Sequence, residues 1–501
     1  MPLSVAVGQH PPAARHPSVP LLPRTTMRQP LYRLASRLAP LTLIALLGAC
    51  ASTAPPPSPQ ATAPTQWQAP LPHNGQLTDL TRWWQQFNDP LLTQLIDAAQ
   101  KESPTLASAA SNLEQSRATR VAAGGALLPT LDATASATRG RTDLSLPVGT
   151  SSSVGLQAGW ELDLFGGGRA ARDAAQARLE GAQASWHAAR VAVAAEVASD
   201  YLTLRACEAQ VVQTQADATS RAESARLTDL SAKAGFQSPA NAALTRASAA
   251  QSNALLTSQK AQCDMAVKAL VALTGVDEPG LRSQLAAGTA HLPEPAQIAI
   301  QAVPGEVLNQ RPDLYASGRD LVAASADLSQ SRAARLPRIT LAGSIGATRL
   351  DFSGGHVDGT TWSVGPLAVT LPLFDGGTRR ANVDAARARY DAAAITYRSQ
   401  LRSAVREVEE ALVQLQSTAG RGDDARIAAE GFETSFRATE SRYKSGAASL
   451  FELEDARRSA VQAQSALIDL QRERVAAWIL LYRALGGGWA ATDATTTQAK
   501  N

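Results

Sequence analysis

Three cysteines are the side chains best suited to covalent chemistry in this sequence of 501 residues. Cys50 follows Leu47-Gly48-Ala49 and ends an apolar stretch that begins at Leu38. This order resembles a lipobox, in which the cysteine is acylated and becomes the first residue of the mature chain. The alternative is a signal peptide that merely contains a cysteine. We expect acylation at Cys50.

Cys207 and Cys263 are placed symmetrically about Gly235 (235 − 207 = 28 and 263 − 235 = 28). If two antiparallel helices meet at Gly235, both cysteines lie at the same height on neighbouring helices. An oxidising compartment then permits a disulfide between them. The alternative is a pair of small buried apolar side chains, because equal height does not make two side chains face each other.

No catalytic or metal-binding pattern stands out elsewhere. The glycines at Gly166-Gly167-Gly168 are not part of a phosphate-binding GxxxxGK[ST] motif, and the six histidines include no HExxH spacing. Serine and histidine residues stand in alanine-rich or loop contexts without the order of a catalytic triad. The net charge of +3 gives no case for nucleic acid. We therefore expect no enzyme, no cofactor and no metal.

The ends of the chain read as targeting and tethering segments. Met27 is followed by a basic region and then by the apolar stretch, which is too short to span a bilayer as a helix. No later segment holds 18 uncharged apolar residues. We expect a mis-assigned start at 1–26, a signal peptide at 27–49, a lipid-anchored Pro-rich tether at 50–72 and a disordered tail at 490–501.

The body of the sequence repeats itself at a nearly constant distance. Leu128-Pro129-Thr130-Leu131 recurs as Leu336-Pro337-Arg338-Ile339, a shift of 208 (336 − 128). The segment from Leu270 to Gly275 recurs from Leu481 to Gly486, a shift of 211 (481 − 270). A period this long indicates two copies of one unit, which we place at 73–290 and 291–489.

Each unit combines two strands with two long helices. Alternating apolar and polar residues predict the strands, and long segments without proline predict the helices. The first unit has expected strands at about 130–140 and 153–165 and helices at about 168–232 and 239–275. The second has strands at about 338–349 and 361–374, with a bulge or an irregular rim at Pro366, and helices at about 377–444 and 449–486. Helices this long must project from the strands.

Four amphipathic strands in one chain leave two open edges, which a membrane does not tolerate. Two chains would give eight strands and a barrel filled by its own side chains, whereas three would give twelve and an aqueous lumen. The polar face with Asp132, Glu161 and Asp163 would line that lumen. The alternative is a soluble protein with two sheets and coiled-coil arms. The sequence thus favours a mixed α and β trimer, a β-barrel continued by an α-helical barrel.

Six motifs in order resemble those of the outer-membrane efflux protein family, the TolC-like channels, and of its NodT-type lipoprotein branch. The first is the lipobox that ends at Cys50, and the other five run from Trp83 to Trp489 and read WWQQFNDP, WELDLFG, RPDL, LPLFDGG and ALGGGW. The resemblance implies a homotrimer with a twelve-stranded transmembrane barrel, a long periplasmic α-barrel and an equatorial domain. It also implies a place in the outer membrane and partners in a periplasmic adaptor and an inner-membrane pump of the resistance-nodulation-division type.

The function that follows is a passive exit duct for drugs or other small solutes, as in multidrug resistance. One alternative is the outer-membrane channel of a type I protein secretion system, which shares the fold. An alternative of another class is a periplasmic coiled-coil scaffold or adhesin.

A duct across the outer membrane needs a gate, and the second hairpin tip is the candidate. Phe451 and Asp455 are four residues apart, so they share one helix face just after the turn. The matching first-tip residues, Ala240 and Leu244, lack the ring and the charge. The resemblance implies that the gate positions form constriction rings. We also consider Arg442 and Tyr443 as a latch that holds this hairpin to a neighbour.

Overall fold

The computed structural model describes residues 80–141, 148–293 and 310–489, together with residues 68 and 308. The expected signal peptide, Cys50, the tether and the tail lie outside the described residues. Within them, no helix is long and apolar enough to cross a membrane.

The described residues form a mostly helical chain with one sheet. A 3-10 helix, Leu80–Phe87, precedes the first α-helix, and a 3-10 turn, Ala286–Gly288, follows the fifth. The α-helices are α1 (Pro90–Glu102), α2 (Pro104–Gly125), α3 (Gly167–Lys233), α4 (Pro239–Thr274), α5 (Glu278–Leu285), α6 (Pro312–Ala333), α7 (Thr378–Lys444) and α8 (Leu450–Ala484). The strands are β1 (Thr130–Gly140), β2 (Gly149–Leu162), β3 (Arg338–Phe352) and β4 (Gly355–Thr370).

Serine and proline residues define where several helices begin. The Ser103 and Ser238 hydroxyls accept backbone N–H bonds at the starts of α2 and α4, and proline occupies the first helical position of each. Ser449 caps α8 through a reciprocal capping box with Glu452. These local signals fix the helix starts to within a residue or two of the expected positions.

The four strands form one antiparallel sheet in the order β1-β2-β3-β4. Both strand pairs therefore lie side by side, and β1 and β4 are its edges. The pairing of β3 with β4 shifts between Leu341 and Gly343, because β4 holds an extra residue beside Pro366. The strands differ from the expected bounds mainly at the turn: β3 extends to Phe352, and β4 begins at Gly355.

The end of β2 differs from the expectation that Asp163 belongs to the strand. β2 ends at Leu162, and the Asp163 carboxylate accepts the backbone N–H groups of Gly168 and Arg169 at 3.1 and 2.8 Å. Asp163 also pairs with the Arg169 guanidinium at 3.2 Å. It therefore holds the strand-to-helix corner, since a carboxylate is favoured at a helix N-terminus, and its predicted place on the polar strand face is wrong.

The long helices form two hairpins, α3–α4 and α7–α8, defined here as the first and second hairpins. α3 and α7 have 67 residues each, which makes each about 100 Å long. The first hairpin turns at Gly235 (φ +85°) and the second at Gly446 (φ +81°), a backbone region that glycine enters without strain. The hairpins extend away from the sheet and pack against each other through α3 and α8.

One large apolar core lies where the hairpins meet the shorter helices. It includes the aromatic residues Trp83, Trp84 and Phe87 of the 3-10 helix and Tyr482 of α8. The Trp83 and Tyr482 rings stack with centroids 4.8 Å apart. Further members come from α1, α3, α4, α5 and α7, so this core joins the first and last described segments of the chain.

The Arg311-Pro312-Asp313 motif ties α6 to both helices of the second hairpin. The buried Arg311 guanidinium donates to Asp313, to Glu407 of α7 at 2.8 Å and to the carbonyl of Ala484 at 3.0 Å. Burial alone would raise the pKa of Asp313, but its bonds with Arg311 hold that pKa below the usual value. These charge-assisted bonds give the motif a structural role.

Candidate functional site

The sheet has one polar face, which carries Asp132 and Glu161. Strand register places Asp132 opposite Gln157, which pairs in turn with Ser344 and then Ser363. Hydroxyl groups on this face bond across strands, and the Ser344 and Ser363 oxygens lie 2.9 Å apart. The polar face is therefore suited to contact with water.

The polar face carries few charged side chains, and these lie near the end of the sheet where the strands connect to the helices. Glu161 forms an exposed ion pair with Arg338 at 3.3 Å, so the two opposite charges partly offset each other. Asp132 lies on the edge strand β1 and is exposed. The structure thus places two of the three predicted lumen residues on one face and brings neither into contact with Asp163.

The opposite face of the sheet is apolar and exposed. Adjacent strands place their large apolar side chains side by side on this face. Its exposed members are Leu131, Val154, Leu156, Trp160, Ile345, Trp362, Val364, Leu367 and Val369. An apolar surface of this extent marks a membrane or protein contact. Strands of 11 to 16 residues are long enough to cross a bilayer when tilted.

The second hairpin tip presents Phe451 and Asp455 to the outside of the chain. Phe451 is 77% exposed, and the Asp455 carboxylate lies 3.8 Å from the Arg458 guanidinium. Both side chains point away from the helices of their own chain. Phe451 does not pack between the helices of its own chain.

Tyr443 joins the second hairpin to the first, whereas Arg442 bonds within its own turn. The Tyr443 hydroxyl lies 3.1 Å from that of Thr228 on α3. Arg442 donates to the Ala447 carbonyl at 3.1 Å and lies 3.7 Å from Glu452. Of the two predicted latch residues, Tyr443 is the one that the structure places between the hairpins.

A larger connection between the hairpins is a buried ion network that the sequence interpretation missed. Arg221 of α3 donates to Asp217 and, at 2.5 Å, to Glu454 of α8. Arg457 of α8 is 1% exposed and donates to Glu454 at 2.6 Å. It also donates to the hydroxyls of Ser220 and Ser224, at 3.1 and 3.0 Å.

The same network reaches α4 and α7. The Ser252 hydroxyl of α4 donates to Asp217 at 2.7 Å, and Phe436 of α7 lies under the Arg457 guanidinium at 5.4 Å. Burial lowers the pKa of Arg457, and the nearby Glu454 carboxylate opposes that effect. A buried cation with several partners holds its neighbours in one arrangement, because losing any partner leaves charge unpaired.

The family can be read from a direct comparison with known proteins. The family model described as "Outer membrane efflux protein" matches residues 95–276 and 303–487. These ranges cover both hairpins and all four strands. The chain belongs to the outer membrane efflux protein family.

Two relatives of this efflux protein match nearly its whole length. Outer membrane protein OprJ of Pseudomonas aeruginosa is 31% identical over 472 residues, which are 92% of this chain and 97% of that protein. The toluene efflux pump outer membrane protein TtgI of Pseudomonas putida is 31% identical over 478 residues, 91% of this chain and 98% of that one. The predicted family is therefore confirmed.

Solved structures agree with the fold of this efflux protein. The outer-membrane channel OprN superposes with a TM-score of 0.76 at 26% identity, covering 87% of this chain and 98% of that one. The mixed fold of long helices and a small sheet is thus that of an outer-membrane channel protein.

The first hairpin of the efflux protein contains a cross-link that the second lacks. Cys207 of α3 and Cys263 of α4 form a disulfide with their Cα atoms 5.6 Å apart. The matching position of the second hairpin is polar on α8, at Arg474. The two cysteines thus lie at one height and face each other in the structure.

Proposed function

We propose that this protein is the passive exit duct of a tripartite efflux pump, working as a homotrimer in the outer membrane. The observation that carries the proposal is the four-stranded sheet, which has one apolar exposed face, one polar face and two open edges. A membrane accepts such a sheet only when its edges are paired. Pairing β1 of one copy with β4 of the next closes a twelve-stranded barrel around an aqueous lumen.

The polar face lines the lumen in this assembly and the apolar face meets lipid. Three copies of Asp132 then lie in the barrel wall, whereas each Glu161 is paired with Arg338. The hairpins continue the duct on the periplasmic side, since each long helix extends about 100 Å. An adaptor and a pump of the resistance-nodulation-division type supply the cargo and the energy for export of drugs or other small solutes.

The second hairpin tip closes the duct when no pump is engaged. Three Phe451 rings form an apolar constriction and three Asp455 carboxylates form an acidic ring next to it. The support for this proposal is that both side chains are exposed within one chain and share a helix face beside the turn. The Tyr443–Thr228 contact and the Arg221–Glu454 pair hold the second hairpin against the first in the closed state.

Acylation at Cys50 anchors the mature N-terminus in the membrane as a lipoprotein, with palmitate among its acyl chains. The support is the lipobox order Leu47-Gly48-Ala49-Cys50. Mass spectrometry of the N-terminal peptide of the purified protein tests this directly. A lipid-modified Cys50 is the expected result, and a free N-terminus at any other residue contradicts it.

The duct itself is tested by reconstitution in planar bilayers together with gel electrophoresis of unheated samples. We expect a trimer that survives detergent and conducts ions in steps of uniform size. A monomer that leaves the bilayer intact contradicts the channel and favours a coiled-coil scaffold. To separate efflux from protein secretion, the gene is deleted and cells are scored for sensitivity to dyes and solvents. Unchanged sensitivity with loss of a secreted protein favours type I secretion.

A further inference from the structure

Glycines lie at different heights in the two hairpins, because those of α3 lie near its start, up to Gly181. From residue 182 to the end of α3, and throughout α4 and α8, there is no glycine. α7 contains three in its lower half, Gly420, Gly422 and Gly431. Glycine is the least favourable helix-interior residue apart from proline. Three glycines therefore weaken the lower half of α7, whereas the lower half of α3 has none.

Packing does not require glycine at Gly420 or Gly422. A Cβ atom added at either position would meet no other atom within 4 Å. The contrast is Gly486, where an added Cβ would lie 2.3 Å from the Gln310 carbonyl oxygen. Close contact explains the glycine at Gly486. No contact explains Gly420 or Gly422, so we attribute these two glycines to a need for flexibility in α7.

The segment around these glycines is also weakly held. The Thr418 hydroxyl donates to the Leu415 carbonyl at 3.0 Å, and the Arg421 guanidinium donates to the Ser417 carbonyl at 3.3 Å. Both of these bonds lie within α7 and join it to no other helix. Beyond Thr418, α7 packs less closely against the rest of the described chain. Between Thr418 and the end of α7, only Ala429 is buried.

There is room for movement beside the glycines. A cavity of about 1040 Å³ lies between α7, α8 and α3, and Thr418, Ala419 and Gly422 form part of its wall. Above this level Val408, Leu412 and Leu415 of α7 belong to the large apolar core. The upper half of α7 is therefore fixed, and its lower half borders open space.

The first hairpin is cross-linked at nearly the same height. Cys207 lies 28 residues before its turn (235 − 207), and Gly420 and Gly422 lie 26 and 24 residues before theirs (446 − 420 and 446 − 422). We propose that α7 bends at Gly420–Gly422 when the duct opens, while the Cys207–Cys263 disulfide keeps the first hairpin fixed. This inference rests on the gate proposed above.

The hinge is well placed to move the gate. The 24 residues from Gly422 to Gly446 form a lever of about 36 Å, so a bend of about 10° moves the tip by about 6 Å. Such a shift separates the Tyr443 and Thr228 hydroxyls. The Phe451 rings move apart when the tip of α8, which carries them, follows α7 and the Arg221–Glu454 pair with α3 opens. Arg421 bonds to Glu473 of α8 at 2.7 Å beside the hinge, so α7 stays attached to α8 there while it bends.

Hydrogen exchange on the detergent-solubilised protein tests the hinge without relying on conduction. We expect amides of residues 416–426 to exchange at least tenfold faster than those of residues 205–215 at the same height of α3. The double change Gly420→Ala with Gly422→Ala should slow exchange at 416–426 about tenfold, because alanine strengthens the helix. Equal exchange in the two segments, or no slowing in the variant, overturns the hinge.

Gly431→Ala is the matched control, because it makes the same change in the same helix in a position with equally open space. In planar bilayers the Gly420→Ala, Gly422→Ala variant should open at least fivefold less often than the parent, and Gly431→Ala should match the parent. An equal effect of both variants places the bend elsewhere and overturns the proposal. A protein that shows the exchange pattern but never conducts refutes the proposed duct and leaves the hinge standing.

Discussion

The two hairpins are alike in length and differ in what holds them. The first helix of each hairpin, α3 or α7, has 67 residues, and the second, α4 or α8, has 36 or 35. The first is joined by a disulfide and has no glycine in the matching stretch, and its tip has Leu244 where the second has Asp455. The second has three glycines in α7 and carries the exposed Phe451 and Asp455. The proposed gate and its proposed support thus share one architecture and differ in a few side chains.

The largest expected effect comes from removing the cross-link of the first hairpin. Cys207→Ser with Cys263→Ser should lower the free energy of unfolding by about 4 kcal/mol, because a disulfide that spans 56 residues restricts the unfolded chain. Hydrogen exchange should rise in α3 and α4 and stay unchanged in α7. Denaturation followed by circular dichroism measures the first quantity. Two labelled thiols in the parent protein, after alkylation without reductant, would show that the disulfide does not form.

The buried ion network predicts the next largest effect. Arg457→Ala should lower the free energy of unfolding by about 3 kcal/mol, because Glu454 and two serine hydroxyls lose a buried partner. Arg458→Ala is the matched control, since that neighbouring arginine is exposed and should cost less than about 0.5 kcal/mol. Equal losses of unfolding free energy in the two variants would show that the network does not hold the hairpins together.

Local sequence signals predicted the elements better than they predicted the contacts between them. The turn glycines Gly235 and Gly446 and the alternating strands are visible in the sequence, because each depends on neighbouring residues. The Arg221–Glu454 pair joins positions 233 residues apart, and no periodic pattern marks it. An arginine three residues after a glutamate, as at Arg457, is the one sequence signal that could have indicated the Arg221–Glu454 pair.

Asp163 shows a second reason why a sequence pattern can misplace a residue. Alternation of polar and apolar residues continues past the end of β2, so periodicity assigned Asp163 to the strand. The backbone N–H groups of Gly168 and Arg169 compete for its carboxylate and end the strand at Leu162. Capping of the following helix is a local competition that alternation alone does not reveal.

A smaller effect is expected from the single hydroxyl contact between the hairpins. Tyr443→Phe and Thr228→Val should each favour the open state by about 1 kcal/mol, roughly a fivefold rise in open probability. The double variant should add little to either single change, because both remove the same bond. Single-channel recording measures the three variants side by side, and fully additive effects would show that the two hydroxyls act independently.

The central claim is that the second tip is the gate and the first is its support. The most direct measurement is the closed-state conductance of reconstituted protein with matched changes at the two tips. Phe451→Ala with Asp455→Ala should raise that conductance severalfold and make cells sensitive to vancomycin-sized solutes. Leu244→Ala, at the position of the first tip that matches Asp455, should leave it at the parent value. Unchanged conductance in the correctly assembled second-tip variant, or an equal rise in the first-tip variant, would contradict the account.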